Sequence, residues 1–305
     1  MSNIKVLSDY IKAVTKNITF PNKLTIDLVI SGGAFNGGMA LGSIMVIKQL
    51  ENEEKIKVDK LSGCSVGAPM IISYLSNTFD KHEDVFHKLK TCLKTNGDIS
   101  CLKDNIHEFV YNTFHSDDDM KNTLDNRCFI NYNDITNCKY CTVSTYDNRD
   151  HLVNVIVRSM YIPLLIDGKS KVEGNFIDGI VPYIFKETKN DILYIELIKN
   201  NSDIIKSIVT QNEKNEHYRV LQGVSDASIF FTDNKSHRLS WYKNWGVTKI
   251  MRQNIFYLLC MIFSIIIDFL STINIPTSIE QNKLVTLVRN FFIKTMKDII
   301  GKLHD

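Results

Sequence analysis

The sequence predicts an α/β protein with a largely parallel sheet, and three features of its first eighty residues carry that prediction. Residues 23–31, KLTIDLVIS, are apolar and β-branched with little alternation, as in a strand buried on both faces. They run into a glycine-bracketed loop, SGGAFNGG (31–38), and then into a helical pattern from Met39 to Leu50, with Met39, Ile44, Ile47 and Leu50 near one side. The same order then recurs: a short strand from Val58 to Cys64, a turn at Ser65, and a helix from Pro69 to Leu75. Pro69 suits the first turn of that helix, where its missing N–H is harmless. Strand–turn–helix units in succession predict strands laid side by side with helices packed across them.

Further along, residues 80–126 are polar and mostly helical in pattern, which predicts a cap or insertion. CTVSTYD (141–147) and ILYIELI (192–198) read as strands, and 151–162 as a helix ended by Pro163. There is no internal repeat and no long linker. The chain divides into a helical lead-in (1–22), one main domain (23–240) and a helical C-terminal extension (241–305) whose composition changes near Trp241.

Composition narrows the function classes. Of 305 residues, 44% are apolar and 23% charged, ordinary for a folded protein, and a net charge of +2 gives no reason to expect a nucleic-acid partner. Seven cysteines, an odd number, and an N-terminal stretch without an apolar signal core favour reduced thiols in the cytoplasm. Cys138 and Cys141 form a C-x-x-C, but no second pair follows to complete a zinc site, so two ordinary thiols near a strand are expected. Asp117, Asp118 and Asp119 lack the alternation, glycine and glutamate of a calcium loop, and a solvated turn is expected there. No metal and no cofactor is expected; oligomeric state is not legible.

The chemistry concentrates in two loops. GCSVG (63–67) is a G-x-S-x-G: Ser65 stands between Gly63 and Gly67, which permit the strained elbow that exposes a nucleophilic hydroxyl. Such a serine needs a base. The loop 31–38 is no P-loop, because Gly38 precedes Met39 and Ala40 rather than Lys and Ser or Thr. A dinucleotide loop would place Ala34 at its second glycine, with no acidic residue well placed about 20 residues on. Backbone amides in such a turn can instead hold an oxyanion. Both loops leave the carboxyl ends of adjacent strands, where open α/β sheets bind ligands. The bland alternative is a structural serine in a glycine-rich turn.

SGGAFNGGMALG (31–42), GCSVG (63–67) and FIDG (176–179), in this order, resemble the three blocks of the patatin-like phospholipase family, and RSMYIPLL (158–165) resembles the segment before the third. The resemblance spans about residues 24–200. It implies a three-layer α/β/α sandwich and a Ser–Asp dyad that hydrolyses acyl esters of lipids without a histidine. Ser65 then matches the nucleophile, Asp178 with Gly179 the base, and Gly32, Gly33, Ala34 and Gly37 the oxyanion loop. The implied partners are a phospholipid or other acyl lipid and a membrane surface.

Three departures stand out. Ala34 replaces a glycine, Asn36 replaces a basic residue, and Ile180 follows Asp178-Gly179 where a small residue is usual. Asp167-Gly168 is a rival dipeptide, better read as a turn. Alternatives on the same residues are acyl transfer to an acceptor other than water, a catalytically inactive membrane-binding protein, and a histidine-using α/β-hydrolase with His217 or His237.

The extension contains an apolar run, 255–275, interrupted by Asp268. Its length suffices to span a bilayer. Each Leu, Ile or Phe favours insertion by about 0.3–0.6 kcal/mol and Asp opposes it by about 2.5–3.5, so the sum with Ser264, Ser271, Thr272 and Asn274 is near neutral. A transmembrane segment and a buried core helix both fit. Leu284, Val288, Phe291, Phe292, Met296, Ile299 and Leu303 recur at helical spacing among five lysines and arginines, a pattern that fits a membrane surface or packing on the chain's own domain.

Overall fold

Seven strands form one mixed sheet in this computed structural model, which describes residues 2–199, 207 and 217–272. They are β1 (Leu24–Ile30), β2 (Ile56–Gly63), β3 (Cys128–Asp134), β4 (Lys139–Val143), β5 (Phe176–Ile177), β6 (Asp191–Ile195) and β7 (Leu239–Trp241). The order is β4-β3-β2-β1-β6-β7, with β5 also paired to β3. The middle four are parallel, whereas β4, β5 and β7 run antiparallel. β1 is central, and Ile26 to Ile30 are fully buried, which is why this stretch lacks alternation.

The helices among the described residues are α1 (Ser2–Lys16), α2 (Gly37–Asn52), α3 (Gly67–Ser76), α4 (His82–Asn96), α5 (Leu102–Thr113), α6 (Asp117–Leu124), α7 (Arg149–Ser159), α8 (His217–Asp233) and α9 (Val247–Thr272). α2, α3 and α7 pack on one face of the sheet and on each other, and α8 lies along α2. The opposite face is covered by Tyr183, Ile184, Phe185, Trp245 and α9. The result is the expected helix–sheet–helix order. α8 approaches α2 so closely that a Cβ at Gly223 would collide with the carbonyl oxygen of Met39.

Three strands escaped the sequence pattern, of which β5 is only two residues long. β3, CFINYND, carries Asn131, Asn133 and Asp134 at buried positions, so its apolar signal is diluted. β7 is three residues long. Asp117 to Asp119 were expected in a solvated turn and instead form the first turn of α6. Ser116 caps that helix by accepting the Asp119 N–H at 3.1 Å, and Asp117 pairs with Arg149 at 3.0 Å. Cys138 and Cys141 sit at the β3–β4 hairpin as free thiols. The amphipathic stretch 284–303 and the end of the apolar run lie outside the described residues.

Candidate active site

Ser65 follows β2 and heads into α3, with φ at 51°, in the left-handed region that a serine rarely adopts. The surroundings over-determine that conformation. The Ser65 N–H donates to both the carbonyl oxygen and the Oγ of Ser159, at 3.1 and 3.0 Å. The Gly67 N–H closes the turn onto the Cys64 carbonyl at 2.8 Å. A Cβ at Gly67 would lie 2.6 Å from the Ile30 carbonyl oxygen, so only glycine lets the turn press against β1. Strain held in this way is typical of functional turns.

Asp178 arrives from the other side of Ser159. β5 pairs with β3, and the chain then turns so that the Gly179 N–H donates to the same Ser159 carbonyl at 3.3 Å. The Asp178 N–H donates to the Tyr161 carbonyl at 2.8 Å, and Asn133 Nδ2 donates to the Asp178 carbonyl at 2.7 Å. Asn131 Nδ2 reaches the carbonyls of Gly179 and Val181. A Cβ at Gly179 would meet Asn131 Nδ2 at 2.5 Å and Cys64 Cβ at 2.9 Å.

Asp178 as a whole residue is 8% exposed. Its Oδ1 accepts the Ile180 N–H at 2.6 Å, whereas Oδ2 is buried without a hydrogen-bond partner among the described residues. Burial pushes the carboxyl up to about 6, opposed by the Ser65 hydroxyl and the Ile180 N–H. The hydroxyl therefore lies close enough to hold the carboxylate down, yet it makes no aligned hydrogen bond to Oδ2. Ser65 and Asp178 line the same cleft, and hydrogen bonds in apo sites are often looser than in the working complex. Cys64 is no competing nucleophile: burial, then the Asp178 charge, push its thiol up.

The departures acquire physical meaning. Ile180, with φ at 62°, supplies its N–H to the carboxylate while its side chain packs on the cluster of Ile135, Ile177 and Met261. Ala34 also sits at positive φ, 44°, which explains why glycine suits that position. Gly32, Gly33 and Ala34 line the same cleft as Ser65, and among the described residues the N–H groups of Gly33 and Ala34 have no acceptor. Gly37 opens α2 beside the serine. Asn36 points its Nδ2 at the Leu197 carbonyl, 3.0 Å away, and its Oδ1 accepts from Arg219 Nη1 at 2.6 Å. Arg219, on α8 and only 3% exposed, thus brings a cation to the loop that lacks one in sequence.

Two cavities meet at Ser65 and Ala34. One is a narrow apolar chamber of about 90 Å³ under α4 and α5, walled by residues such as Phe35, Phe86, Leu89, Ile106, Phe109 and Leu165. The 80–126 segment is therefore a roof over the site. Besides Ser65, the chamber is lined by the polar His82, kept neutral because burial pushes its imidazole down to about 4, and bonded to Ser73 Oγ at 2.6 Å. Ser73 is fully buried inside α3, out of reach of a ligand. The other cavity is an open cleft that holds Asp178 and Glu196, with Lys249 and Arg252 at its rim and α9 as one wall.

The rivals fall elsewhere. Asp167 accepts from the Tyr161 hydroxyl and from the Lys169 N–H, holding a turn with Gly168 at φ 76°. His217 pairs with Glu83 at 3.1 Å, and neither it nor His237 lines the cavities at Ser65. Sequence reasoning missed Ser159, Asn131, Asn133 and Arg219. Polar residues at alternate positions of an apolar strand are a readable signal for the two asparagines; Arg219 and Ser159 carry none. No protein-family model matches the chain, and no curated protein matches it.

Proposed function

We propose that the chain is a lipid acyl hydrolase of the patatin-like kind, working through Ser65 and Asp178. The observation that carries this is the unpartnered Asp178 Oδ2 beside Ser65, where an apolar chamber meets an open cleft. Asp178 takes the hydroxyl proton as Ser65 Oγ bonds to the ester carbonyl carbon. The resulting oxyanion is met by the amides of the 32–37 loop and the N-terminus of α3. The C–O bond to the alcohol breaks, Asp178 returns its proton to that leaving oxygen, and an acyl-enzyme remains. Water then gives a proton to Asp178 as it attacks, and the acid departs with Ser65 restored.

The chamber suits an apolar acyl chain and the cleft suits a polar headgroup. α9 over residues Val247–Ser271 is long and apolar enough to cross a membrane. With the odd cysteine count, it supports a cytoplasmic protein that works at a membrane surface. Acyl transfer uses the same residues, and the openness of the cleft would admit an alcohol acceptor.

The test is a hydrolysis panel of phospholipids, lysophospholipids and short-chain esters on purified protein, with and without an alcohol acceptor, beside labelling by a fluorophosphonate. Ester turnover and a label on Ser65 are expected. A folded protein that neither turns over any ester nor takes the label would sink the enzymatic reading and favour the inactive one.

A further inference from the structure

α9 has two faces with different neighbours. Toward the domain, at steps of three and four residues, stand Gln253, Tyr257, Met261, Ser264 and Asp268. Gln253 Nε2 donates to the Tyr194 hydroxyl at 3.0 Å, and the Tyr257 hydroxyl donates to Asn133 Oδ1 at 2.9 Å. Met261 is buried with Ile135 and Ile177. Asp268 accepts from Ser170 Oγ at 2.8 Å and from Lys171 Nζ at 2.9 Å, and Ser271 Oγ donates to Ser170 Oγ at 3.1 Å. Away from the domain runs a stripe of Met251, Ile255, Leu258, Leu259 and Ile262, all exposed, with Leu258 at 57% and Leu259 at 60%.

We propose that this stripe docks on an anionic lipid bilayer with α9 lying flat in the interface, and that the helix does not span. A spanning α9 would have to release every contact of the inner face and carry Gln253 and Asp268 into hydrocarbon, where Asp alone costs about 2.5–3.5 kcal/mol. Lying flat leaves the inner seam intact and removes only apolar side chains from water. Asp268, which in sequence interrupts the apolar run, is then the residue that anchors the helix to the domain.

Charge selects the kind of surface. Lys249 and Arg252 stand at the N-terminal end of the helix, with Lys199 beside them on the cleft rim, and Glu196 is the carboxylate that opposes them there. Among the described residues Lys249 and Arg252 share the single carboxylate Glu196, and that local excess favours an anionic headgroup layer. Continuity selects a bilayer over a second copy of the chain. Phe256 and Phe263 are both exposed, and both wall the cleft that leads to Ser65. A lipid leaving the bilayer along α9 would cross apolar side chains on its way to the serine, whereas a second protein seated on the stripe would crowd that mouth. The entry route rests on the hydrolase reading; the docking does not, and is measured without turnover.

The experiment is co-sedimentation of the full chain with phosphatidylcholine vesicles and with vesicles that also contain phosphatidylserine. Binding to the anionic vesicles is expected to exceed binding to the neutral ones. The pair Leu258→Asp and Leu259→Asp, both exposed and so neutral for folding, is expected to lower it by more than about ten-fold. The pair Ser170→Cys and Ser271→Cys replaces hydroxyls 3.1 Å apart and allows a disulfide that locks α9 to the domain. The locked protein is expected to bind as well as the reduced one. Binding lost on locking and recovered on reduction would overturn the flat orientation in favour of a span. Equal binding to both vesicles, or unchanged binding of the Asp pair, would overturn the docking face. So would a dimer, without vesicle binding, that the Asp pair dissociates.

Discussion

Ser159 holds Ser65 by two acceptors at once: its carbonyl oxygen and its hydroxyl oxygen both take the Ser65 N–H, at 3.1 and 3.0 Å. Because the same carbonyl also accepts the Gly179 N–H, one residue at the end of α7 sets the serine turn and the aspartate turn against each other. Ser159→Ala keeps the carbonyl and deletes the hydroxyl. Loss of one hydrogen bond, about 1 kcal/mol, from a strained turn is expected to lower kcat about five- to ten-fold with little change in KM. Steady-state kinetics on a short-chain ester check this; a change confined to KM would move the role of Ser159 to substrate binding.

Ser65→Ala is expected to remove ester hydrolysis while the protein stays folded, since loss of a nucleophile can cost on the order of 10⁶ in kcat. The controls are Asp167→Asn, His217→Ala and His237→Ala, each expected to keep most of the rate. These three side chains hold a turn or lie outside the cavities at Ser65. A dead histidine variant beside an active Asp178→Asn would replace the dyad by a histidine-based mechanism.

Asp178 must be ionised to accept a proton, and burial has raised its carboxyl to about 6. The hydrolysis rate is therefore expected to rise with pH through about 6 and to level off above. Stability runs the other way. A carboxyl whose folded pKa lies above its unfolded value binds its proton more tightly in the folded state, so the stabilisation is present at low pH and is lost between about 4 and 6. Two units correspond to roughly 3 kcal/mol. Asp178→Asn is expected to abolish turnover and to raise unfolding stability by up to that amount at pH 8, with little effect at pH 4. Urea unfolding at the two pH values measures it, and a variant destabilised at pH 8 would refute the account of a costly buried carboxylate.

Arg219 reaches Asn36 from α8 at 2.6 Å, and Asn36, the residue before α2, in turn donates to the Leu197 carbonyl. Arg219→Met leaves Asn36 Oδ1 without its donor and removes a cation from the neighbourhood of the oxyanion loop. A fall in kcat of about ten- to hundred-fold is expected, larger than any rise in KM, with partial rescue in Arg219→Lys because the charge returns. Lower stability with an unchanged kcat would reduce Arg219 to a tie between α8 and α2.

Local physics made the first half of the site legible without coordinates. An unalternating β-branched run, glycines where chains must touch and a proline in the first helical turn specify β1–loop–α2 and β2–turn–α3, and with them the turn that carries Ser65. Each of those signals acts over a few residues. Which aspartate meets that serine is a different kind of fact. Asp167-Gly168 and Asp178-Gly179 are alike as dipeptides, and they separate only because β5 pairs with β3 and two asparagines catch the second turn. Ile180 looks too large for its place until the backbone shows that its N–H is what the carboxylate uses. Arg219 is invisible in sequence, because its partner at position 36 is brought near by close helix packing between α2 and α8. Hydropathy alone could not divide α9 into a face packed on the domain and an exposed one. Periodicity reports that side chains share a side of a helix, and only the packed sheet beside it decides which side is covered, here by seating Asp268 against Ser170 and Lys171.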